Sequence, residues 1–451
     1  MGITIVQKSD LAVKKKKAKI ALVLAGGAVS GGAYKLGGIK CLNDLMVNKD
    51  IADFDVFVGL SAGALIAAPL AAGISPEEML KSFDGKSGKF AQLRWLDFYS
   101  PNISDLVTKP LEFAYKVLTT LPRFSIKFLN MLFSSDRHFS SAMLDLVRRP
   151  SYAAVDEVAG ILVKVAQASA DVPSILEVLP SGFFDNSRLE RYVRTNIENN
   201  NLKNDFTELV EKLGKELYIT ALNLDTAERV VFGYNEDNTL TISEAIQAST
   251  ALPGFYRPAR IRGVDYVDGG VTTTANIDVA VQHGANLIVC YNPFRPFYNK
   301  LLIRYYKELS SYVADKPYIA DGGLTAVLNQ SFRTLLHFRL QMALRRYESD
   351  PDFKGDIILV EPDIYDINFF EINPVNFFER AKAAELGYLS VKSSVEKNYP
   401  RIKKILNSYD IETTMMYIDQ DAKKIQSTPQ DETIMNILGR SRIKRDIRLV
   451  M

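Results

Sequence analysis

The sequence predicts an α/β fold built around a doubly wound, mostly parallel sheet, and three features carry that prediction. A short apolar run, Ile20–Leu24, stands between a lysine cluster and a glycine cluster, as a central parallel strand feeding a tight turn does. A second buried-strand pattern at 54–60 leads through a glycine-flanked turn into an apolar helix at 62–72. Strand patterns then recur at 217–222, Arg229–Gly233, 263–267, Leu287–Tyr291 and Asp356–Val360, with helical stretches between them. Alternation of this kind builds open sheets whose ligands sit at the carboxyl ends of the strands.

In chain order, residues 1–18 read as a basic N-terminal tail and 19–295 as the sheet domain, with a helix expected at 33–46 after the first strand. The span 77–214 turns helical and irregular and reads as a cap inserted into that domain. Its first half is crowded with aromatics, among them Phe90, Trp95, Phe98, Tyr99, Phe113, Phe124 and Phe128, interleaved with Lys109, Lys116, Arg123 and Lys127. Aromatic stripes at helical spacing favour a subdomain packing its own core; the interleaved cations also fit a face that meets anionic lipid. Residues 296–407 read as a mainly helical extension and 408–451 as a polar, basic tail.

Composition excludes several classes. The chain has 55 basic and 53 acidic residues, a net charge of +2, so no bulk field draws it to nucleic acid. Cys41 and Cys290 stand alone, too few for a disulfide framework and without metal-ligand spacing, which points to a reducing, cytoplasmic setting and to no metal. Lys14 to Lys19 followed by Ile20 to Ala25 imitates a signal peptide, but the apolar stretch is too short; export without a cleavable signal stays open. The charge-free stretch 56–74 has the length of a membrane span, yet Gly59, Gly63, Pro69 and Gly73 interrupt it, as a strand, turn and buried helix would.

The chemistry centres on Gly59-Leu60-Ser61-Ala62-Gly63, set between the second strand and its helix. A serine on a sharp strand-to-helix turn exposes its hydroxyl, and small residues such as Gly59 and Gly63 let the backbone pass that tightly. A serine capping a helix between packing glycines gives the same letters. Gly26, Gly27 and Ala28 follow the first strand, where main-chain amides can stabilise an oxyanion. Neither dinucleotide nor P-loop spacing is satisfied there. Of the three histidines, His138 falls in the cap, His283 before a strand at the end of the sheet opposite the site, and His337 within a long amphipathic helix. Either of the last two meets the Ser-Asp-His chain order, though each reads more simply as a surface or packing residue. Asp268, at the carboxyl end of a strand and followed by two glycines, is the better base, provided burial raises its basicity; an Asp-Gly turn is the structural alternative.

Together these blocks resemble the patatin-like phospholipase family. The stretch Ala245 to Pro258 is similar to the family's segment before its aspartate, and Tyr266-Val267-Asp268-Gly269-Gly270-Val271 to the aspartate motif itself. The likeness runs from Lys19 to Pro293 and continues weakly at Leu359 to Pro362. It implies a three-layer α/β/α sandwich with a helical cap insertion and a helical C-terminal extension. It also implies a Ser61–Asp268 dyad without histidine and hydrolysis of fatty acyl esters of phospholipids or glycerolipids at a membrane surface, with no cofactor. Transfer of the acyl group to an alcohol would use the same residues. The family usually carries a third glycine and a basic residue where this chain has Ala28 and Ser30, so a weakly active, lipid-binding descendant is the alternative from another class.

Overall fold

The computed structural model describes residues 2–112, 114–115, 141, 148, 179–307, 310–428 and 431–442. They divide into two compact units. The first holds residues 1–100, 186–253 and 258–451, and the second 101–185 with 254–257.

The first unit is organised by a nine-stranded sheet. Its strands are β1 (Ile3–Gln7), β2 (Ile20–Leu24), β3 (Val56–Leu60), β4 (Glu216–Asn223), β5 (Arg229–Gly233), β6 (Ala259–Ile261), β7 (Val264–Asp268), β8 (Leu287–Tyr291) and β9 (Asp356–Val360). The order is β1-β9-β8-β2-β3-β4-β7-β6, with β5 also on β4. Pairings from β9 across to β4 are parallel, and β1, β5, β6 and β7 pair antiparallel.

Successive residues of a strand point to opposite faces, and here both faces are apolar. Ile20, Leu22 and Leu24 enter one core, and Ala21, Val23 and Ala25 the other. The first core is covered by α1 (Ala28–Leu45), α2 (Ala64–Ala71), α4 (Ile242–Thr250) and α6 (Arg380–Ser408), and α3 (Ser187–Asn199) contributes Val193. The second is covered by the short helix Ile277–Gln282 and by α5 (Gly323–Ser349) through Leu340 and Leu344. That is the three-layer sandwich with a mostly parallel sheet. Glycines let α1 and α6 touch: a Cβ at Gly37 would stand 1.9 Å from the Ala384 carbonyl oxygen, and one at Gly387 1.9 Å from that of Tyr34.

Both chain ends depart from the tails expected of them. Ile3 and Val6 are buried, and β1 zips antiparallel onto β9. Near the C-terminus, helices Met416–Gln426 and Asp431–Leu438 bury Ile418, Ile425, Ile434 and Leu438. Arg442 pairs with Asp421 and, at 3.3 Å, with Asp44. These apolar residues are one or two turns apart and diluted by charge, so composition alone hides them.

Residues 77–100 and 186–214 of the predicted cap belong to the first unit, and 101–185 to the second. In the second unit, Gly182–Asp185 pairs parallel with Gly254–Tyr256, and Asn102 donates to the Gly182 carbonyl at 2.9 Å. Lys109 is half-buried there; Lys116, Arg123, Lys127 and His138 lie outside the described residues.

Candidate active site

Strand register alone brings the two predicted site residues together. β3 runs parallel to β4 as far as Leu60, opposite Thr220. β7 runs the other way and ends with Asp268 opposite Ala221. β5 pairs with Tyr218 to Leu222, overlapping both stretches, and so occupies the other edge of β4. β3 and β7 therefore share one edge and meet head to head. The residue after Leu60 is Ser61, and its hydroxyl comes close enough to the Asp268 carboxylate to hold that carboxyl's pKa down. Both side chains are buried, and Asp268 also accepts the Gly270 N–H at 2.8 Å.

The turn holding Ser61 is sterically forced. Ser61 has φ 55°, in the left-handed region, which costs a non-glycine residue about 1–3 kcal/mol and persists where surroundings over-determine it. A Cβ at Gly63 would lie 2.2 Å from the Leu24 carbonyl oxygen, and one at Gly59 2.5 Å from the Ala64 Cα. The Ser61 N–H donates to Ser249 Oγ of α4 at 2.8 Å. A 3-10 turn, Ser61–Gly63, then leads into α2, whose positive end favours negative charge at the turn.

The glycine loop lies beside it. A Cβ at Gly26 would be 3.5 Å from the Ser61 Cβ and 3.3 Å from the Phe294 ring. Ala28, where the family's third glycine is usual, opens α1 with φ 49°. Beneath the loop is a group that the sequence did not single out. Lys35 of α1 is fully buried and donates from Nζ to the carbonyls of Ala25 and, at 3.1 Å, Gly26. Burial pulls its ammonium down to about 7, against the attraction of Asp268. Burial likewise pushes the Asp268 carboxyl up to about 6, opposed by the Ser61 hydroxyl, the Gly270 N–H and Lys35.

The family model described as patatin-like phospholipase matches residues 22–281, which is more than half of the chain. The chain belongs to the patatin-like phospholipase family. Two curated relatives share shorter stretches with it. "Probable lipid hydrolase 463L" of Invertebrate iridescent virus 6 is 25% identical over 104 residues, 23% of this chain and 36% of the relative. "Uncharacterized protein YjjU" of Escherichia coli K12 is 29% identical over 128 residues, 28% of this chain and 34% of the relative. The match thus spans about a third of each curated relative's length. Among solved structures, VipD from Legionella pneumophila aligns over 97% of this chain and 86% of its own, at 13% identity and a TM-score of 0.29.

In this patatin-like chain the described histidines have other partners. His283 stacks on Tyr218 and meets Glu236 at 3.0 Å. Its carbonyl accepts Lys19 Nζ at the amino end of β2, opposite Ser61. His337 Nδ1 lies 3.0 Å from Glu361, which also accepts from Asn292. Asn276, which partly echoes the family's residue after the aspartate motif, donates to Thr220 Oγ1 at 2.7 Å and so ties the next helix to the centre of β4. Among the described residues no His, Cys, Asp and Glu group has the arrangement of a metal site. An apolar cavity of about 100 Å³ adjoins the turn and the loop, lined by Ala28, Gly32, Ala62, Leu65, Phe98 and Val193 among others.

Proposed function

We propose that the protein is a serine lipid acyl hydrolase, with Ser61 as nucleophile and Asp268 as proton acceptor. The carrying observation is the meeting of the buried Ser61 hydroxyl and Asp268 carboxylate where two strands end head to head, beside an apolar cavity. Ser61 Oγ attacks the ester carbonyl carbon while its proton passes to Asp268. The oxyanion that forms is held by main-chain amides of Gly26, Gly27 and Ala28 and favoured by the helix start behind Ser61. Collapse releases the alcohol, which takes the proton back from Asp268, and leaves an acyl-Ser61 ester. Water then repeats the sequence and frees the fatty acid; an alcohol in place of water would give acyl transfer.

The Asp268 carboxyl, pushed up to about 6, suits a base that works near neutral pH. The cavity is apolar, as a site for an acyl chain must be, and the family and the name of the viral relative support a lipid substrate. Among the described residues no helix is long and apolar enough to cross a membrane, so the reading is docking on the bilayer.

A fluorophosphonate probe is expected to label the wild type and not Ser61→Ala, and lipidomic comparison of the two should show fatty acid release only from the wild type. Labelling that persists in Ser61→Ala rejects the assignment. Products made with an added lysolipid or glycerol separate hydrolysis from transfer.

A further inference from the structure

Helix α5 carries apolar side chains on two opposite faces, and the sheet needs only one of them. Arg333, Leu340 and Leu344 are its buried residues. Leu324, Leu328, Phe332, Leu335, Phe338 and Met342 recur every three or four residues, which places them on one stripe about half a turn away from the buried set. That stripe faces solvent: Leu324 is 73% exposed, Phe332 58%, Phe338 64% and Met342 69%. Scattered exposed leucines need no explanation, whereas a contiguous apolar stripe on a folded surface marks a place where something docks.

The surrounding chemistry says what docks. Between Phe297 and Arg346 there are, apart from the buried Arg333, seven basic residues and three acidic ones, in a chain whose total charge is nearly balanced. Within α5 itself, and again leaving aside the buried Arg333, the cations Arg339, Arg345 and Arg346 stand against a single acid, Glu348, near its end. The preceding segment exposes Tyr298, Tyr305, Tyr306, Tyr312 and Tyr318, in part on the hairpin of Ile303–Tyr306 with Ser311–Ala314. Phe297, next to Tyr298, is tied to α5 by backbone hydrogen bonds to the Gln330 amide, 2.7 and 3.1 Å long. An apolar helix face bordered by tyrosines and cations, with few acids, matches the headgroup boundary of an anionic bilayer. A protein partner would demand no such cationic bias.

Position connects the face to the site. Arg339 donates to the carbonyls of Gly270 at 3.3 Å and Val271 at 2.9 Å, in the turn that follows Asp268. Val271 is itself among the exposed apolar residues. The stripe therefore begins at the same end of the sheet as Ser61.

We propose that the outward face of α5, with the tyrosine-rich segment before it, is the surface by which this protein docks on anionic membranes and presents Ser61 to lipid. This rests on the lipid hydrolase reading, but it is tested by binding.

The test uses the full chain and sedimentation with vesicles of phosphatidylcholine, alone or with phosphatidylglycerol. The variant replaces Phe332, Phe338 and Met342 by serine, all exposed, so the fold has no cause to fail; circular dichroism checks this. The variant is expected to partition onto anionic vesicles at least roughly tenfold less than the wild type, given the apolar area withdrawn. Hydrolysis of a soluble short-chain p-nitrophenyl ester and fluorophosphonate labelling should stay unchanged. Wild-type binding should also fall with added salt. Equal partitioning of variant and wild type, no vesicle binding by the wild type, or a dimer that only the variant loses would each overturn the proposal. Vesicle binding by a wild type that hydrolyses nothing would leave docking standing and remove the hydrolase reading.

Discussion

The two turns that flank the candidate site were built under different constraints. The Ser61 turn tolerates almost no change, because Gly59 and Gly63 press against the main chain of Ala64 and Leu24. The loop from Gly26 to Ala28 departs from its family's usual pattern, and its carbonyls are held by Lys35. Steric necessity preserves a sequence letter by letter; electrostatic necessity can be met from elsewhere in the fold. In a trans peptide the C=O of one residue and the N–H of the next point in opposite directions. By holding the carbonyls of Ala25 and Gly26, the Lys35 ammonium also fixes which way the amides of Gly26 and Gly27 face.

The sharpest break between the turns is expected from glycine substitution. Gly63→Ala puts a methyl 2.2 Å from a backbone oxygen and should cost roughly 3 kcal/mol or more, seen as a collapse of the melting temperature or of soluble yield. Gly26→Ala meets nothing closer than 3.3 Å. It should fold with a near-native melting curve while losing activity by roughly 100-fold, since its methyl fills the space beside the Ser61 hydroxyl and crowds the oxyanion position. A stable Gly63→Ala, or a fully active Gly26→Ala, would erase the distinction.

Asp268 links the two turns, and its burial sets opposite signs for activity and stability. As the base it must be ionised, so the rate is expected to rise with pH through about 6, and Asp268→Asn should lose roughly 10³–10⁴-fold. The folded-state value lies above the ordinary 3.8, so the folded protein binds the proton more tightly than the unfolded chain. The contribution to stability is therefore full at acid pH and is lost as pH rises from about 4 through about 6, on the order of 3 kcal/mol. Asp268→Asn lacks that loss. Denaturant titrations should show its stability, relative to wild type, increasing between pH 4 and pH 8.

Lys35 is the weaker lever. The Lys35→Met variant should lower kcat by roughly tenfold to a hundredfold, short of removing an oxyanion donor outright, with KM little changed. Because the ammonium holds the Asp268 carboxyl down, its loss should also move the acid limb of the pH profile upward. A change in melting temperature with no movement of that limb would reduce Lys35 to a packing role.

Much of this arrangement was legible in the sequence. The runs Ile20–Leu24, Leu287–Tyr291 and Asp356–Val360 are strands at the predicted bounds, since strands buried on both faces read as unbroken apolar runs. The Ser61 turn was legible because its glycines are obligatory. Lys35 was not, since a lysine within a helix ordinarily reads as solvated and only the packed fold reveals that it is buried. Ser249 was visible as part of a block but not as the acceptor for the Ser61 N–H. The outward face of α5 was hidden because the stretch around His337 reads as one amphipathic helix, and only the packed fold separates its buried apolar face from the exposed one.

Ala28 offers the finest test of the contrast. Its φ of 49° belongs to a region that glycine enters freely and that costs a residue with a Cβ about 1 kcal/mol. Ala28→Gly therefore relieves strain in the native loop, while the unfolded chain gains freedom that offsets part of the benefit. A net change of about 0.5 kcal/mol or less in either direction is expected from chemical denaturation. The amide of residue 28 is kept, so labelling of Ser61 should continue at a similar rate. A large drop in labelling would mean that the alanine methyl, which lies at the apolar cavity, holds the loop in its working shape. The departure from the usual glycine would then be a functional adjustment of this loop.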